Sequence, residues 1–208
     1  MSLRDKLLEI PVIYRAWQLP FAEQKLAPLQ RRGDMLRARR VLDVGCGPGT
    51  NAKHFSHTEY LGIDHNPAYV AAATRRYGRR FVAADVTTYS AESEGRFDFI
   101  LVNSLLHHLD TPDVSRLLRH LATLLTDGGH IHILELVVPA NRFSASAMLA
   151  RADRGKYPRP LGEWRALFAE CVDVEDFEPY GLGTAGLTLW SMVYCRARSR
   201  TGASNPLR

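Results

Sequence analysis

The feature that most constrains the fold is a glycine-rich segment at residues 41–50, which reads Val-Leu-Asp-Val-Gly-Cys-Gly-Pro-Gly-Thr. A short apolar run that ends in glycines predicts a buried strand followed by a tight turn. Gly45, Gly47 and Gly49 allow a positive φ and let a ligand approach the main chain where no Cβ intervenes. Because a helix is expected to begin near residue 50, the segment indicates a ligand-binding unit of strand, turn and helix.

The spacing of these glycines separates two ligand classes. The dinucleotide fingerprint G-x-G-x-x-G would need glycine at position 50, where this chain has Thr50. The pattern is instead Asp-x-Gly-x-Gly-x-Gly, beginning at Asp43, and an acid at that place suits a ligand with a cationic end better than a pyrophosphate. The segment resembles the first signature of class I S-adenosylmethionine (SAM) dependent methyltransferases. The resemblance covers residues 41–194.

Short apolar stretches alternate with helix-like segments through most of the chain. After the first strand, further strands are predicted at residues 60–64, 80–85, 97–103, 130–138, 172–177 and 188–196. Such alternation specifies a parallel sheet with helices on both faces and ligands at the carboxyl ends of the strands. The last two strands have no helix between them and are expected to pair antiparallel. The predicted fold is therefore α/β, a Rossmann-like seven-stranded sheet with an antiparallel last strand, which the resemblance also implies.

Chain length sets the domain organisation. With 208 residues, the chain is long enough for one α/β domain with a substantial core and too short for two of ordinary size. Residues 1–32 are predicted as an N-terminal helical lid, residues 33–198 as the SAM-binding domain, and residues 199–208 as a flexible tail.

Two segments are predicted to lie over the ligand crevice. Prolines, the last of them Pro28, divide residues 1–32 into short helices. Tyr14 and Trp17 are either lid residues or ordinary packing residues of an N-terminal helix. Residues 140–160 interrupt the alternation and are predicted as a substrate cap with basic side chains, Arg159 among them, at its mouth.

Acidic residues end the second and third predicted strands. A carboxylate at Asp64 can accept hydrogen bonds from both ribose hydroxyls of SAM, although the same acid would also serve the ribose of a dinucleotide. The resemblance assigns the adenine amine to Asp85 and an adenine ring nitrogen to the backbone N–H of Val86.

The resemblance places the methionine end of SAM beside two further polar residues. Asp43 matches the acid that orders the glycine turn and faces the methionine amine, and Asn103, at the end of the fourth strand, matches a position that meets the same amine. Asp and Asn also cap turns, so each has a structural explanation as well. The predicted cofactor set is Asp43, Gly45, Cys46, Gly47, Asp64, His65, Asp85, Val86 and Asn103.

The sequence after the fourth strand limits the methyl acceptor. Amino-methylases that act on nucleic-acid bases or glutamine share an (Asp/Asn)-Pro-Pro-(Tyr/Phe) turn there, whereas residues 103–109 read Asn-Ser-Leu-Leu-His-His-Leu. This segment resembles the small-molecule methyltransferases that include the ubiquinone and menaquinone enzymes. The resemblance implies methyl transfer to a small molecule without naming a substrate, and we predict oxygen as the favoured acceptor. The alternatives are a non-catalytic SAM-binding protein and an RNA or protein methyltransferase.

The histidines of this segment, His107 and His108, are the candidate catalytic residues. Histidine can take a proton near neutral pH, as methylation of a phenol or enol would require. His108 is favoured because it precedes Leu109, which should point into the core, and because it matches the family pattern. Both histidines can alternatively pack and cap the following helix.

Other features argue against a metal, a membrane and a nucleic-acid partner. His130 and His132 would share one face of the fifth strand, but no carboxylate cluster with ligand spacing accompanies them. A net charge of +5 permits an acidic substrate or nucleic acid without requiring either. The three cysteines show no paired spacing, and neither a signal peptide nor a membrane-length apolar run is evident. The expectation is a cytoplasmic protein that binds SAM and a small-molecule substrate.

Overall fold

A computed structural model of the chain describes residues 21–90, 94–140, 146, 156–184 and 186–200. The helices are α1 (Ala22–Arg32), α2 (Asp34–Arg37), α3 (Pro67–Tyr77), α4 (Thr111–Thr123) and α5 (Leu161–Cys171), with short 3-10 segments at Ala52–Phe55 and Leu106–His108. The strands are β1 (Arg40–Val44), β2 (Glu59–Asp64), β3 (Arg80–Ala83), β4 (Phe97–Asn103), β5 (Leu125–Val138), β6 (Arg159–Pro160), β7 (Asp173–Thr184) and β8 (Leu187–Arg198).

The strands of the described part of the chain form an eight-stranded sheet in the order β3-β2-β1-β4-β5-β8-β7, with the two-residue β6 paired to β5. Neighbours from β3 to β5 run parallel, and β8 runs antiparallel to both β5 and β7. The predicted α/β fold with an antiparallel last strand is confirmed. Because parallel strands end at the same edge, the residues that follow β1, β2, β3 and β4 meet at one crevice.

Apolar side chains cover both faces of the sheet. On one face, Leu42 and Val44 of β1 belong to a buried cluster that includes Leu118 of α4 and Phe168 of α5. On the other face, residues of α1, β1, β4 and β5 form a second buried cluster with Tyr194 of β8. Successive residues of a strand point to opposite faces, so the continuous apolar runs of β1 and β4 serve both clusters.

Helix α1 continues through Pro28, so the prediction that this proline separates short helices is wrong. A proline inside a helix costs about 3 kcal/mol, because it removes one hydrogen bond and crowds the preceding turn. Leu26 and Leu29 are 2% and 0% exposed against the sheet. Full burial of two leucines contributes about 3 to 6 kcal/mol, which is enough to offset the proline.

Several element boundaries differ from the sequence prediction. The helix expected to begin near residue 50 is reduced to the 3-10 segment Ala52–Phe55, and β5 begins at Leu125 rather than at residue 130. Residues 180–186, which lie between the last two predicted strands, mostly belong to the hairpin of β7 and β8. A Cβ atom on Gly183 would lie 1.9 Å from the carbonyl oxygen of Leu187, so this glycine permits the close pairing of the two strands.

The structure describes only part of the two segments that are predicted to lie over the ligand crevice. Tyr14, Trp17 and most of residues 140–160 lie outside the described residues, whereas residues 156–158 are described and lead into β6. In the part of the chain described above, no helix is both long enough and apolar enough to cross a membrane.

Candidate active site

The glycine turn after β1 is held by its own backbone. The N–H groups of Gly45 and Cys46 both donate to the carbonyl of Ile63, at 2.8 and 2.9 Å. Gly45 has a φ of 70°, and a Cβ atom there would lie 2.9 Å from the side chain of Leu105. A side chain at this position would therefore be strained by both backbone and packing, so the turn presents bare main chain to the crevice.

Asp64, at the end of β2, holds the turn in place. One of its carboxylate oxygens accepts from the N–H of Gly47 at 2.8 Å, and the other accepts from the N–H of Asn66 at 2.8 Å. The residue is 6% exposed. Each carboxylate oxygen can accept more than one hydrogen bond, so these contacts are compatible with the predicted role at the ribose hydroxyls.

Asp43 is fully buried and lies behind the turn. It accepts from the hydroxyl of Tyr60 at 2.6 Å and from the side-chain amide of Asn51 at 3.1 Å, both at the same carboxylate oxygen. Burial raises the pKa of Asp43 to about 6, although the bonds from Tyr60 and Asn51 act in the opposite direction. The predicted role in ordering the turn agrees with this position.

A chain of hydrogen bonds connects Asp43 to the end of β4. Asn51, which donates to Asp43, accepts from the side-chain amide of Asn103 at 3.3 Å. The Asn103 oxygen accepts from the hydroxyl of Ser104 at 3.3 Å, and Ser104 Oγ accepts from the ammonium of Lys25 at 3.0 Å. The structure thus brings Asp43 and Asn103 together through Asn51 and adds a cation to the same edge of the sheet.

The pKa of Asp43 leads to a prediction about stability and pH. Because the folded-state pKa is raised above the ordinary 3.8, ionisation of Asp43 destabilises the folded protein as the pH rises through about 6. An Asp43→Asn variant keeps one oxygen to accept from Tyr60 and Asn51 but cannot ionise. Relative to the wild type, it should gain roughly 3 kcal/mol in unfolding free energy between about pH 4 and pH 7. Urea unfolding of both proteins across this range measures the difference, and parallel curves would contradict the prediction.

Other residues of the predicted cofactor set occupy varied positions. Asp85 is exposed, and the two bonds that it accepts from Thr87 lower its pKa. Val86 is half-buried against the core, and the side chain of His65 is 83% exposed beside Asp64. The Cys46 side chain is buried, so any contact with a ligand would come from its backbone. Asp85, Val86 and His65 follow β2 and β3, on the side of the crevice that the resemblance assigns to adenosine.

His107, in the 3-10 segment after β4, forms a buried pair with Glu135 of β5. The Nδ1 atom of His107 is hydrogen-bonded to Glu135 Oε1, and the two residues are 3% and 0% exposed. Burial would raise the pKa of Glu135, but His107 and the N–H groups of Leu106 and Leu136 outweigh it and lower the pKa. An ionised Glu135 fixes Nδ1 of His107 as the donor, which leaves Nε2 as the nitrogen able to accept a proton.

The neighbouring His108 is exposed, and its ring centroid lies 4.2 Å from that of His107. Arg159 stabilises the 3-10 segment, although the sequence predicted this residue at the basic mouth of the substrate cap. Its guanidinium is turned inward and donates to the carbonyls of Leu106, Leu109 and Tyr157 and to the hydroxyl of Thr111. Arg159 therefore supports the histidine segment.

The histidines on β5 have other partners. His132 is buried, stacks on Phe99 with ring centroids 4.1 Å apart, and lies 3.0 Å from the hydroxyl of Tyr194. His130 lies 3.0 Å from a carboxylate oxygen of Glu175. In the portion of the chain that the structure describes, no group of three or more His, Cys, Asp or Glu side chains is placed to hold a metal ion.

Sequence reasoning missed Glu135, Tyr60, Asn51 and Lys25. One signal was available for Glu135, because it is an acid within the apolar run at residues 133–138, and a buried acid needs a partner. The contacts of Tyr60, Asn51 and Lys25 depend on packing between distant segments, for which the sequence offers no local signal.

The residues at this edge fit the SAM that the sequence resemblance implies. Asp64 and Asp85 offer carboxylates for the ribose and adenine, and bare main chain at Gly45 admits close approach. Asn103 supplies an acceptor on the methionine side, and the fully buried Asp43 is connected to that side through Asn51. When bound, SAM supplies an electrophilic methyl group.

Comparison with known proteins is consistent with this reading. A family model described as a methyltransferase domain matches residues 41–129. A trans-aconitate 2-methyltransferase of Methylobacterium nodulans is 31% identical over 194 residues, which cover 88% of this chain and 72% of that protein. A trans-aconitate 2-methyltransferase of Variovorax paradoxus is 30% identical over 162 residues, and the chain spans only 59% of its length.

A solved structure shares the fold. The plantazolicin methyltransferase BpumL, in complex with a triazolic desmethylPZN analog and SAH, superposes with a TM-score of 0.70. The match covers 92% of this chain and 90% of that chain at 16% sequence identity. At 16% sequence identity, this similarity shows a shared fold alone.

Proposed function

The chain belongs to the class I SAM-dependent methyltransferases, and on that premise we propose that it methylates an oxygen atom of a small-molecule acceptor, with a histidine as the base. Methyl transfer is an in-line displacement at the sulfonium of SAM. The protein must align the acceptor with the methyl group and, for a hydroxyl acceptor, remove its proton.

The observation that carries this proposal is the pairing of His107 with Glu135. A base is most effective when a third group fixes its orientation, and the buried carboxylate does this for the imidazole. The pair lies just beyond β4, where an acceptor would approach the methyl group. The geometry therefore favours His107 as the base and leaves His108 as its exposed neighbour, whereas the sequence favoured His108.

A carboxylate oxygen is a second candidate acceptor. The two relatives compared above are named for methyl transfer to trans-aconitate, an organic acid. A carboxylate is already ionised at neutral pH, so its methylation needs alignment and charge neutralisation but no base. Both candidates are O-methylations, and they differ in their dependence on the histidine pair.

Labelled products distinguish these acceptors. The protein would be incubated with methyl-tritiated SAM and either trans-aconitate, which offers carboxylates alone, or a hydroxybenzoate, which offers a phenol and a carboxylate. Mild alkali cleaves a methyl ester and leaves a methyl ether intact. The histidine-base proposal predicts an alkali-stable product from the hydroxybenzoate. An alkali-labile product would favour the carboxylate, and labelled product from neither acid would contradict O-methylation of these two acceptor classes.

A further inference from the structure

Lys25 places a positive charge at the crevice from a distant part of the chain. It belongs to α1, yet its ammonium donates to Ser104 Oγ at 3.0 Å, directly after the end of β4. Ser104 in turn donates to Asn103, which lies in the hydrogen-bonded chain that begins at Asp43. The charge therefore lies beside the residues predicted to meet the methionine end of SAM.

The backbone of Lys25 is held firmly on the sheet. The hydroxyl of Tyr180 donates to the carbonyl of Lys25 at 2.9 Å. The side chain of Gln24 makes two hydrogen bonds to the backbone of Gly183, at 3.0 and 3.1 Å. Leu26, the residue that follows Lys25, is buried in the core. Helix α1 thus holds the backbone of Lys25 in a fixed position, which reduces the entropy lost when the ammonium binds a ligand.

Among the non-glycine residues that the structure describes, Ser104 alone has a positive φ, which is 55°. Such a conformation costs energy in a residue with a side chain and persists where the surroundings impose it. Here the N–H of Ser104 donates to the carbonyl of Leu134 at 2.8 Å, which fixes the backbone, and its hydroxyl meets both Asn103 and Lys25. The strained residue lies where the cofactor and acceptor must meet.

We propose that the Lys25 ammonium is the receptor for a ligand carboxylate at the end of β4. An ammonium can donate to several acceptors at once, so its bond to Ser104 is compatible with a carboxylate partner. Partial burial strengthens such a charge-assisted bond. Two carboxylates are candidates for this place: that of the methionine end of SAM and that of an acidic acceptor. The second source rests on the proposed function, whereas the first rests on cofactor binding alone.

Calorimetry with a Lys25→Met variant tests the proposal and separates the two sources. If the partner is the cofactor carboxylate, the affinity for S-adenosylhomocysteine should fall about tenfold or more. The affinity for methylthioadenosine, which lacks the amino-acid group, should then stay unchanged. If the partner is an acceptor, S-adenosylhomocysteine should bind normally, and binding of trans-aconitate to the cofactor-loaded protein should weaken by a similar factor. Failure of trans-aconitate to bind the wild type, with normal S-adenosylhomocysteine binding by the variant, would overturn the proposal.

Two further variants separate charge from helix position. Gln24→Ala removes one of the contacts that position α1 and keeps the cation, so it should weaken binding of each ligand much less than Lys25→Met does. Lys25→Arg keeps the charge and should recover most of the affinity that Lys25→Met loses. A loss in Gln24→Ala equal to that in Lys25→Met would show that Lys25 acts only by fixing the helix.

Discussion

Replacement of His107 by glutamine is expected to lower turnover by about 100-fold or more, with the affinity for SAM retained, because a positioned general base contributes about 10²-fold to 10⁴-fold. Glutamine has amide N–H groups that can still donate to Glu135, so the variant avoids leaving a buried carboxylate without a partner. Activity should partly return at high pH, where the acceptor hydroxyl ionises without help. Steady-state kinetics as a function of pH measures both effects.

His108→Ala is the matched control for this prediction. His108 is exposed and adjacent to His107, so its removal should change turnover much less and should not alter the pH profile. A large loss in His108→Ala with normal turnover in His107→Gln would assign the base to His108, as the sequence favoured. Full turnover in both variants at every pH would contradict a histidine base and would fit an acceptor that is already ionised.

Replacement of Asp64 by alanine should lower the affinity for SAM by roughly 10-fold to 100-fold, because loss of a charge-assisted hydrogen bond to the ribose costs about 1.5 to 3 kcal/mol. The structure adds a second consequence. Asp64 accepts from the buried N–H of Gly47 and the half-buried N–H of Asn66, so alanine also leaves these donors without an acceptor and should destabilise the protein without ligand. Calorimetry with S-adenosylhomocysteine and thermal unfolding measure the two effects.

Asp85→Ala provides the comparison for Asp64→Ala. Asp85 is exposed, and its described bonds are local ones from Thr87. Its loss should therefore weaken SAM binding through the adenine contact, by about tenfold, with little change in thermal stability. Unaltered binding of S-adenosylhomocysteine by Asp64→Ala would contradict the ribose assignment, and unaltered binding by Asp85→Ala would contradict the adenine assignment.

The sheet topology was predictable because local patterns determine it. Apolar runs that end in glycine or acidic residues, with helix-like segments between them, leave few ways to build a parallel sheet. The same patterns placed Asp43, Asp64 and Asp85 at strand ends, since a strand end is visible in the sequence. The prediction that Pro28 ends a helix was wrong because burial of Leu26 outweighs the local cost of the proline. This burial depends on tertiary packing, which local sequence does not show.

The arrangement within the site was less predictable. His107 and His108 are adjacent in sequence, yet one is buried against Glu135 and the other is exposed, a difference decided by how the 3-10 segment meets β5. Contacts of this kind join residues that are far apart in the sequence, as Lys25 and Ser104 are. Local periodicity carries no information about such pairs.

We propose above that this chain transfers the methyl group of SAM to a small molecule. The most direct measurement incubates the purified protein with methyl-tritiated SAM and an extract of its source organism, and then separates small molecules, RNA and protein. Label should enter the small-molecule fraction and be lost when the Asp64→Ala variant replaces the wild type. Label in RNA or protein would contradict the small-molecule assignment. Tight SAM binding with no labelled product in any fraction would contradict catalysis itself.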